Sequence, residues 1–107
     1  MSITELARMQ KLEVVVGGED VPVVRELFAQ AGVTGWTSVS NVSGLGHDGF
    51  HQGRLLFNER SALSLLITVV PEERIGALVA GLRVLLQERP GVMFVSETRV
   101  SRPEYFQ

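Results

Sequence analysis

The most constraining feature of the sequence is an almost continuous apolar run at residues 62–70, which reads Ala-Leu-Ser-Leu-Leu-Ile-Thr-Val-Val. Side chains alternate between the two faces of a β-strand, so a run of this kind places apolar groups on both faces. Such a strand suits the centre of a sheet, covered on both sides or buried in an oligomer. The run therefore predicts a central strand in a sheet whose second face needs a partner.

Three further segments have the pattern of strands. β-Branched residues predict a strand at residues 11–16, which a pair of glycines ends, and a looser alternation predicts another at residues 36–43. A last strand is predicted at residues 92–100, before Pro103 interrupts it. Residues 1–10 have no clear period and are interpreted as a frayed or helical lead-in.

Two helices lie between these strands. The first has Asp20 as its predicted N-cap and Pro22 in its first turn, and it closes at Gly32. The second follows Pro71 with two glutamates in its first turn, carries an apolar stripe at helical spacing, and stops at residues 90–91. Both helices are therefore expected to cover the sheet with one apolar side.

The resulting order is strand, helix, strand, strand, helix, strand. It predicts an α+β, ferredoxin-like βαββαβ fold, with two helices on one face of an antiparallel sheet and a long loop between the second and third strands. The chain of 107 residues is expected to form one domain, 1–107, with the loop at 44–60 and a C-terminal tail at 101–107. The uncovered face of the sheet predicts an oligomer.

Composition excludes several functions. A formal net charge of -2 provides no basic surface for phosphates along a duplex, so nucleic acid is not an expected partner. The absence of cysteine excludes disulfides, thiolate metal sites and thiol nucleophiles. No apolar stretch approaches the length of a membrane span, so membrane insertion is not expected and the interpretation is a cytoplasmic protein.

The loop at 44–60 contains four glycines and both histidines of the chain. His47, Asp48 and His51 could hold one metal ion through two imidazoles and a carboxylate, although two histidines in a loop more often form a polar loop without a ligand. No nucleophile elbow or pair of carboxylates indicates hydrolysis, so an enzyme is not expected. The glycines themselves favour close approach of the backbone to a ligand.

Three motifs occur in this order of elements. Residues 42–46 read Val-Ser-Gly-Leu-Gly, residues 69–73 read Val-Val-Pro-Glu-Glu, and the last strand contains Phe94 and Val95. They resemble motifs of the PII family of signalling proteins, which has Val-x-Gly-Phe-Gly, then Val-Val-Pro and two acids, and a Phe-Val pair in its last strand. The resemblance spans residues 11–102, and it implies a non-enzymatic regulatory homotrimer that binds adenine nucleotides between subunits.

The resemblance also implies where the nucleotide binds. The positions that match the family's site are Val15, Thr37, Ser38, Gly44, Leu45, Gly46, His47, Val69, Arg89, Arg99 and Arg102. Val15 and Val69 would line the adenine, and residues 44–46 would form a hinge above the nucleotide. Thr37 or Ser38 of the adjacent subunit would bind the adenine, although an extra residue in this strand leaves the choice open. The loop beyond the hinge, called the T-loop in the family, would move and contact a partner protein.

The phosphates would be held by arginines and by His47, which takes the place of a phosphate-facing Arg. The loop at 87–91 is shorter than in the family and lacks its phosphate-binding Lys, so Arg89 is the substitute. Arg99 and Arg102 lie near the family's paired C-terminal arginines, with Pro103 where an Arg would be expected. Because so few cations remain near the β and γ positions, AMP or ADP is expected to bind at least as tightly as ATP.

Two departures concern regulation. The T-loop has no Tyr for uridylylation, and Asp48 replaces the Gln that helps to bind 2-oxoglutarate. The short T-loop is similar to a branch of PII-like proteins associated with carboxysomes and bicarbonate transport. This similarity implies bicarbonate as an effector and a membrane transporter or carboxysome protein as a partner. A metal-binding protein, a small enzyme and a purely structural oligomer remain the alternatives.

Overall fold

The structure is a computed structural model and describes residues 2–44 and 62–107. Its strands are β1 (Ala7–Gly17), β2 (Trp36–Val42), β3 (Leu63–Val70) and β4 (Gly91–Val100), and its α-helices are α1 (Val21–Gln30) and α2 (Glu72–Glu88). The strands form one sheet in the order β2-β3-β1-β4, and every neighbouring pair is antiparallel. The predicted ferredoxin-like βαββαβ fold is confirmed, with β1 and the apolar β3 at the centre.

Both helices pack on the same face of the sheet. Alternate residues of β1 and β3 point towards them, because successive side chains of a strand lie on opposite faces. The core that these residues form with the helices consists of Leu12, Val14, Val16, Val24, Phe28, Leu66, Val70, Leu78 and Leu82. This core fixes the position of the two helices over β1 and β3, and it leaves the other face of the sheet uncovered.

Helix α1 ends as the sequence predicts. Gly32 has a φ of 78°, and its N–H donates to the carbonyl of Ala29, while the N–H of Val33 donates to the carbonyl of Phe28. This pair of bonds is a Schellman motif, in which glycine accepts the left-handed conformation without strain. At the other end of α1, Asp20 occupies the N-cap position, but its side chain makes no capping hydrogen bond. The predicted N-cap position is therefore confirmed, but the side chain of Asp20 does not act as a cap.

Strand β1 is longer than predicted. It begins at Ala7, which lies opposite Val100 of β4, so residues 7–10 belong to the sheet and only residues before them form a lead-in. A short 3₁₀ turn at Ile3–Glu5 precedes it. No helix in residues 2–44 and 62–107 is long and apolar enough to cross a membrane. The long β1 matters for the site because it brings the start of the chain beside the end of β4.

Strand β2 contains a bulge. Ser40 lies opposite Ser64 and Val42 lies opposite Leu63, so Asn41 is the additional residue in the strand, and it has a φ of 60°. Asn is one of the few side chains that tolerate this conformation. The bulge follows Thr37 in the chain, so the first part of β2 keeps a regular register with β3.

The face of the sheet opposite the helices is largely apolar. We call it the open face, and its apolar members are Val15, Val39, Leu63, Leu65, Ile67, Val69, Val92 and Phe94. Lys11 and Glu13 of β1 lie on the same face and form an ion pair of 3.8 Å. Val39, Val92 and Phe94 are exposed in the single chain, and exposed apolar residues grouped on one face mark an interaction site. The second face thus lacks a partner within the described part of the chain, as the apolar run of β3 predicts.

Among the glycines of the part of the chain that the structure describes, Gly91 at the start of β4 has the least room for a side chain. Its φ is 153°, and an added Cβ would lie 2.6 Å from the carbonyl oxygen of Val15 and 2.8 Å from Leu86. We expect Gly91→Ala to lower the free energy of unfolding by about 2–4 kcal/mol, because backbone strain and steric overlap add. Urea unfolding measures the change, and Gly76→Ala is the control because a Cβ at Gly76 meets nothing within 4 Å. Equal stability of the two variants would contradict the prediction.

Candidate functional site

The candidate nucleotide-binding residues lie towards two opposite ends of the sheet. The end where β1 and β2 finish and β3 and β4 begin is called the hinge end here, and it holds Val15, Gly44 and Arg89. The other end, where β4 finishes and the C-terminal tail follows, is called the tail end, and it holds Arg99 and Arg102. Each end has its own set of contacts.

At the hinge end, Gly44 and Gly17 both lie beside Leu63. A Cβ added to Gly44 would lie 4.0 Å from Leu63, and Leu63 lies opposite Gly17 of β1. Gly17 is on the same face as Val15, two residues after it. A Cβ on Gly17 would lie 3.4 Å from Oε1 of Glu19. The carboxylate of Glu19 therefore lies over Gly17, close to the candidate hinge.

Arg89, which precedes β4, binds two carboxylates at this end. Its Nε donates to Oδ2 of Asp20 at 3.0 Å, and its Nη2 donates to Oε1 of Glu19 at 2.9 Å. The hydrogen bond and the charge of Asp20, with a smaller contribution from Glu19, raise the pKa of Arg89 above its usual value. The guanidinium therefore stays charged in the physiological range, and the contribution of its charge to stability is lost as pH rises through that raised pKa.

Neither Glu19 nor the role of Asp20 in this cluster was predicted from the sequence. Asp20 is buried, and the turn Gly18–Asp20 holds it beside the end of α2. The signal was two acids directly after the glycines that end β1, together with an arginine shortly before β4. Only the pairing of β1 with β4 shows that these residues meet, since they are 69 positions apart in the chain.

At the tail end, the C-terminal tail packs against the loop before β2. The hydroxyl of Thr34 donates to the carbonyl of Tyr105 at 3.1 Å, and a Cβ on Gly35 would lie 3.0 Å from the same oxygen. The buried hydroxyl of Thr68 donates to the carbonyl of Gly35. The tail thereby fixes the start of β2, and with it the candidate adenine residues.

The two C-terminal arginines have different surroundings. Arg102 donates from Nη1 to the hydroxyl of Tyr105 at 3.0 Å, and its guanidinium lies 5.8 Å from the centre of that ring. Arg99 lies opposite Arg8 in β1, and Arg8 in turn forms an ion pair of 2.7 Å with Glu97. Arg102 is therefore oriented by a neighbour, whereas Arg99 is an exposed member of a charged strand end.

The fold and the motifs agree with a known family. The profile of the family Nitrogen regulatory protein P-II matches residues 9–105 of the chain. The chain belongs to the PII family. Proteins of this family are signalling proteins that typically form trimers and bind nucleotides. No curated protein sequence matches the chain.

Solved structures of PII-like proteins agree with this assignment to the PII family. CPII, a nitrogen regulatory PII-like protein from Thiomonas intermedia K12, bound to ADP, AMP and bicarbonate, is 40% identical over 94% of this chain and 95% of that one, with a TM-score of 0.85. CPII bound to ADP and bicarbonate is 36% identical over 95% and 97%, with a TM-score of 0.83. A PII-like signalling protein from Thermus thermophilus, at 16% identity, with coverage of 95% and 98% and a TM-score of 0.75, supports the fold alone.

The strand register separates the two residues predicted to contact the adenine. Thr37 lies opposite Ile67 on the open face, with Val15 and Val69, whereas Ser38 lies opposite Leu66 on the helix face. The bulge at Asn41 leaves this register unchanged. Of the two candidates, Thr37 is therefore the one that shares a face with Val15 and Val69.

Part of the predicted PII site lies outside the described residues. Leu45, Gly46 and His47, which were predicted to form the hinge and a phosphate contact, belong to the undescribed range 45–61. The same is true of the alternative metal ligands Asp48 and His51. Within residues 2–44 and 62–107, no three His, Asp or Glu side chains come together in a group that could hold a metal ion.

One chain cannot bring both ends of the sheet to the same PII nucleotide. Val92, which lies opposite Val15, and Arg99 are seven residues apart on β4, which corresponds to about 23 Å along a strand. A nucleotide at the hinge end therefore does not reach Arg99 or Arg102 of the same chain. If all these residues bind one ligand, the arginines come from a second subunit.

Proposed function

We propose that this PII family member binds ADP or AMP in clefts between the subunits of a homotrimer. We further propose that bicarbonate is its effector and that its T-loop regulates a partner protein. The observation that carries this proposal is the 40% identity, across nearly the whole chain, to a PII-like protein bound to ADP, AMP and bicarbonate. The second CPII structure, with ADP and bicarbonate, supports the same ligand set.

The division of the site between two ends of the sheet supports a cleft between subunits. The hinge end of one subunit provides Val15 and Gly44, and the neighbouring subunit provides Thr37 from its open face and Arg102 from its tail end. Val69, also on the open face, lies opposite Lys11 and extends the apolar surface beside the adenine. A trimer closed through the open faces would bury the exposed apolar residues and assemble three such clefts.

The phosphates have two sets of candidate partners. Arg99 and Arg102 come from the tail end, and Arg102 is already oriented by Tyr105. Arg89 lies at the hinge end, where two of its five N–H groups are bound to Glu19 and Asp20, so its charge is already compensated before a phosphate binds. This arrangement favours ligands with few phosphates.

Regulation would follow from the position of the T-loop. It leaves the sheet at Gly44, beside Leu63 and Gly17, so a ligand at the hinge end can change the conformation of the loop where it begins. A ligand changes the affinity for a partner only if it binds the two loop conformations with different affinity. The proposed partner is a membrane transporter or a carboxysome protein concerned with inorganic carbon, and the proposed location is the cytoplasm.

Titration calorimetry with AMP, ADP and ATP tests the proposal. We expect AMP and ADP to bind at least as tightly as ATP, because the charge at the hinge end is unfavourable for additional phosphates. We also expect bicarbonate to tighten ADP binding, and ADP to tighten bicarbonate binding by the same factor. An ATP affinity about tenfold above that of ADP, which corresponds to about 1.4 kcal/mol, would contradict the first expectation. Equal ADP affinity with and without bicarbonate would contradict the second.

The same protein tests the metal-binding alternative. His47, Asp48 and His51 are the proposed ligands, so zinc or copper titration of the native protein is compared with His51→Ala. If the two proteins bind metal equally, or neither binds it, this alternative is removed. A protein that bound neither nucleotide nor metal would instead be a structural oligomer or a small enzyme.

A further inference from the structure

We infer that Glu19 determines how strongly the protein discriminates between nucleotides with different numbers of phosphates. The carboxylate of Glu19 lies over Gly17 and forms an ion pair with Arg89. It therefore adds a negative charge at the hinge end and compensates the positive charge of Arg89. The inference rests on the proposed function, in which the phosphates lie beneath the Gly44 hinge. It assigns to Glu19 a role in specificity and none in binding adenine.

The position of Glu19 follows from a chain of contacts across the sheet. Gly44 packs beside Leu63, Leu63 lies opposite Gly17, and Gly17 is covered by the carboxylate of Glu19. Because Gly17 has no side chain, no side chain of this residue separates the carboxylate of Glu19 from the open face. Val15 is the next residue of β1 on that face, so the carboxylate and the candidate adenine surface are neighbours.

The charge of the cluster is negative. It contains two carboxylates and one guanidinium, so Arg89 is more than neutralised before any ligand arrives. A nucleotide with one phosphate is repelled little by the negative charge of this cluster, whereas each further phosphate group adds negative charge close to the cluster. Interactions between nearby charges at a protein surface are large enough to change affinity severalfold per charge.

The two carboxylates are not equivalent. The side chain of Asp20 is 10% exposed and is fixed beside Arg89, whereas that of Glu19 is 46% exposed and lies at the surface. An exposed ion pair contributes little stability, so Glu19 can be changed, or can release Arg89, without loss of the fold. Arg89 itself cannot be removed without leaving the buried Asp20 without its partner. Glu19 is therefore the residue whose substitution reports on selectivity alone.

The experiment compares native protein with Glu19→Gln and with Glu26→Gln. Gln keeps the size of the side chain and an oxygen that accepts a hydrogen bond from Arg89, and it removes only the charge. Glu26 is an exposed residue of α1, so its substitution changes the net charge equally at a place away from the hinge end. Dissociation constants for AMP, ADP and ATP are measured by calorimetry with a chelator in place of magnesium, since a divalent cation would neutralise the phosphates.

We expect Glu19→Gln to tighten ATP binding by about threefold to tenfold relative to AMP, with ADP between them. Glu26→Gln should leave the ratio of ATP to AMP affinity within about twofold of the native value, because its charge lies farther from the phosphates. A ratio unchanged in Glu19→Gln, or changed equally by Glu26→Gln, overturns the inference while leaving the proposed function in place. If native protein binds no adenine nucleotide, both fall. Melting temperatures of the three proteins, measured in parallel, show whether each is folded.

Discussion

A single lysine in place of Phe94 is expected to convert a trimer of about 35 kDa, three times the 11.7 kDa of one chain, into monomers. Phe94 lies on β4 in the open face, and it is 54% exposed in the single chain. Removing it therefore disturbs the fold of one subunit little, but a charge at this position would have to be buried between subunits. Glu13 lies opposite Phe94 and is already paired with Lys11 at 3.8 Å, so a second lysine would leave an excess positive charge buried between the subunits, which is strongly destabilising.

The control is Val84→Lys. Val84 is 65% exposed on α2, so it is an apolar surface residue of similar exposure. It lies on a helix that covers the face of the sheet opposite the open face. Light scattering at micromolar concentration is expected to give trimers for native protein and Val84→Lys, and monomers for Phe94→Lys. Nucleotide binding should be lost together with the trimer, because one chain separates the two ends of the site. A monomeric native protein, or a trimeric Phe94→Lys variant, would show that the open face is not the subunit interface.

The fold could be predicted because local patterns and global topology agree in this chain. The apolar run of β3 requires a central position, and β1 and β3 do lie at the centre of the sheet. Helix α1 ends at a glycine whose positive φ the sequence indicates, and α2 begins directly after Pro71. In each case the residues that determine the element lie within it or beside it, so no knowledge of distant contacts is needed.

The errors concern features that depend on distant partners. Residues 7–10 have no strand pattern, and they extend β1 because β4 pairs with all four of them and β3 pairs with Gln10. Asp20 has the sequence context of a helix cap, yet the approach of Arg89 from the other half of the chain recruits its carboxylate instead. A charged hydrogen bond of this kind outweighs the smaller gain from a cap.

For the candidate site, the sequence indicates individual residues but not how they are arranged. Motifs indicated both valines, the hinge glycine and the C-terminal arginines, but only strand register shows that Thr37 and Ser38 lie on different faces. The tail provides a second example, since the contact of Tyr105 with Thr34 joins segments 71 residues apart. Such contacts depend on how the sheet is assembled. The residue types and spacings of one segment do not show which distant segment it will contact.

Arg102 is the tail-end residue whose loss should affect nucleotide affinity most. Its guanidinium is held by the hydroxyl and ring of Tyr105, so less side-chain freedom is lost when it binds a phosphate. A hydrogen bond to a charged group contributes about 1.5–3 kcal/mol. We therefore expect Arg102→Gln to weaken ADP binding by about tenfold to a hundredfold, and Arg99→Gln to weaken it less because Arg99 lies beside the positive charge of Arg8.

Arg83→Gln is the matched control for this prediction, because Arg83 is exposed on α2 and the same charge is removed from the helix face. Calorimetry with ADP is performed on variants that light scattering shows to be trimers, so that a loss of assembly is not mistaken for a loss of contact. Arg102→Gln should leave the melting temperature without ligand almost unchanged, since its contact with Tyr105 is exposed. The loss of a charged hydrogen bond would weaken ADP binding much more than twofold. If the ADP affinity of Arg102→Gln stays within about twofold of the native value, Arg102 does not contact the phosphates, and its pairing with Tyr105 only holds the tail in place. A loss equal in Arg83→Gln would instead identify a long-range effect of net charge, because two arginines on opposite sides of the sheet cannot both contact one ligand at the tail end.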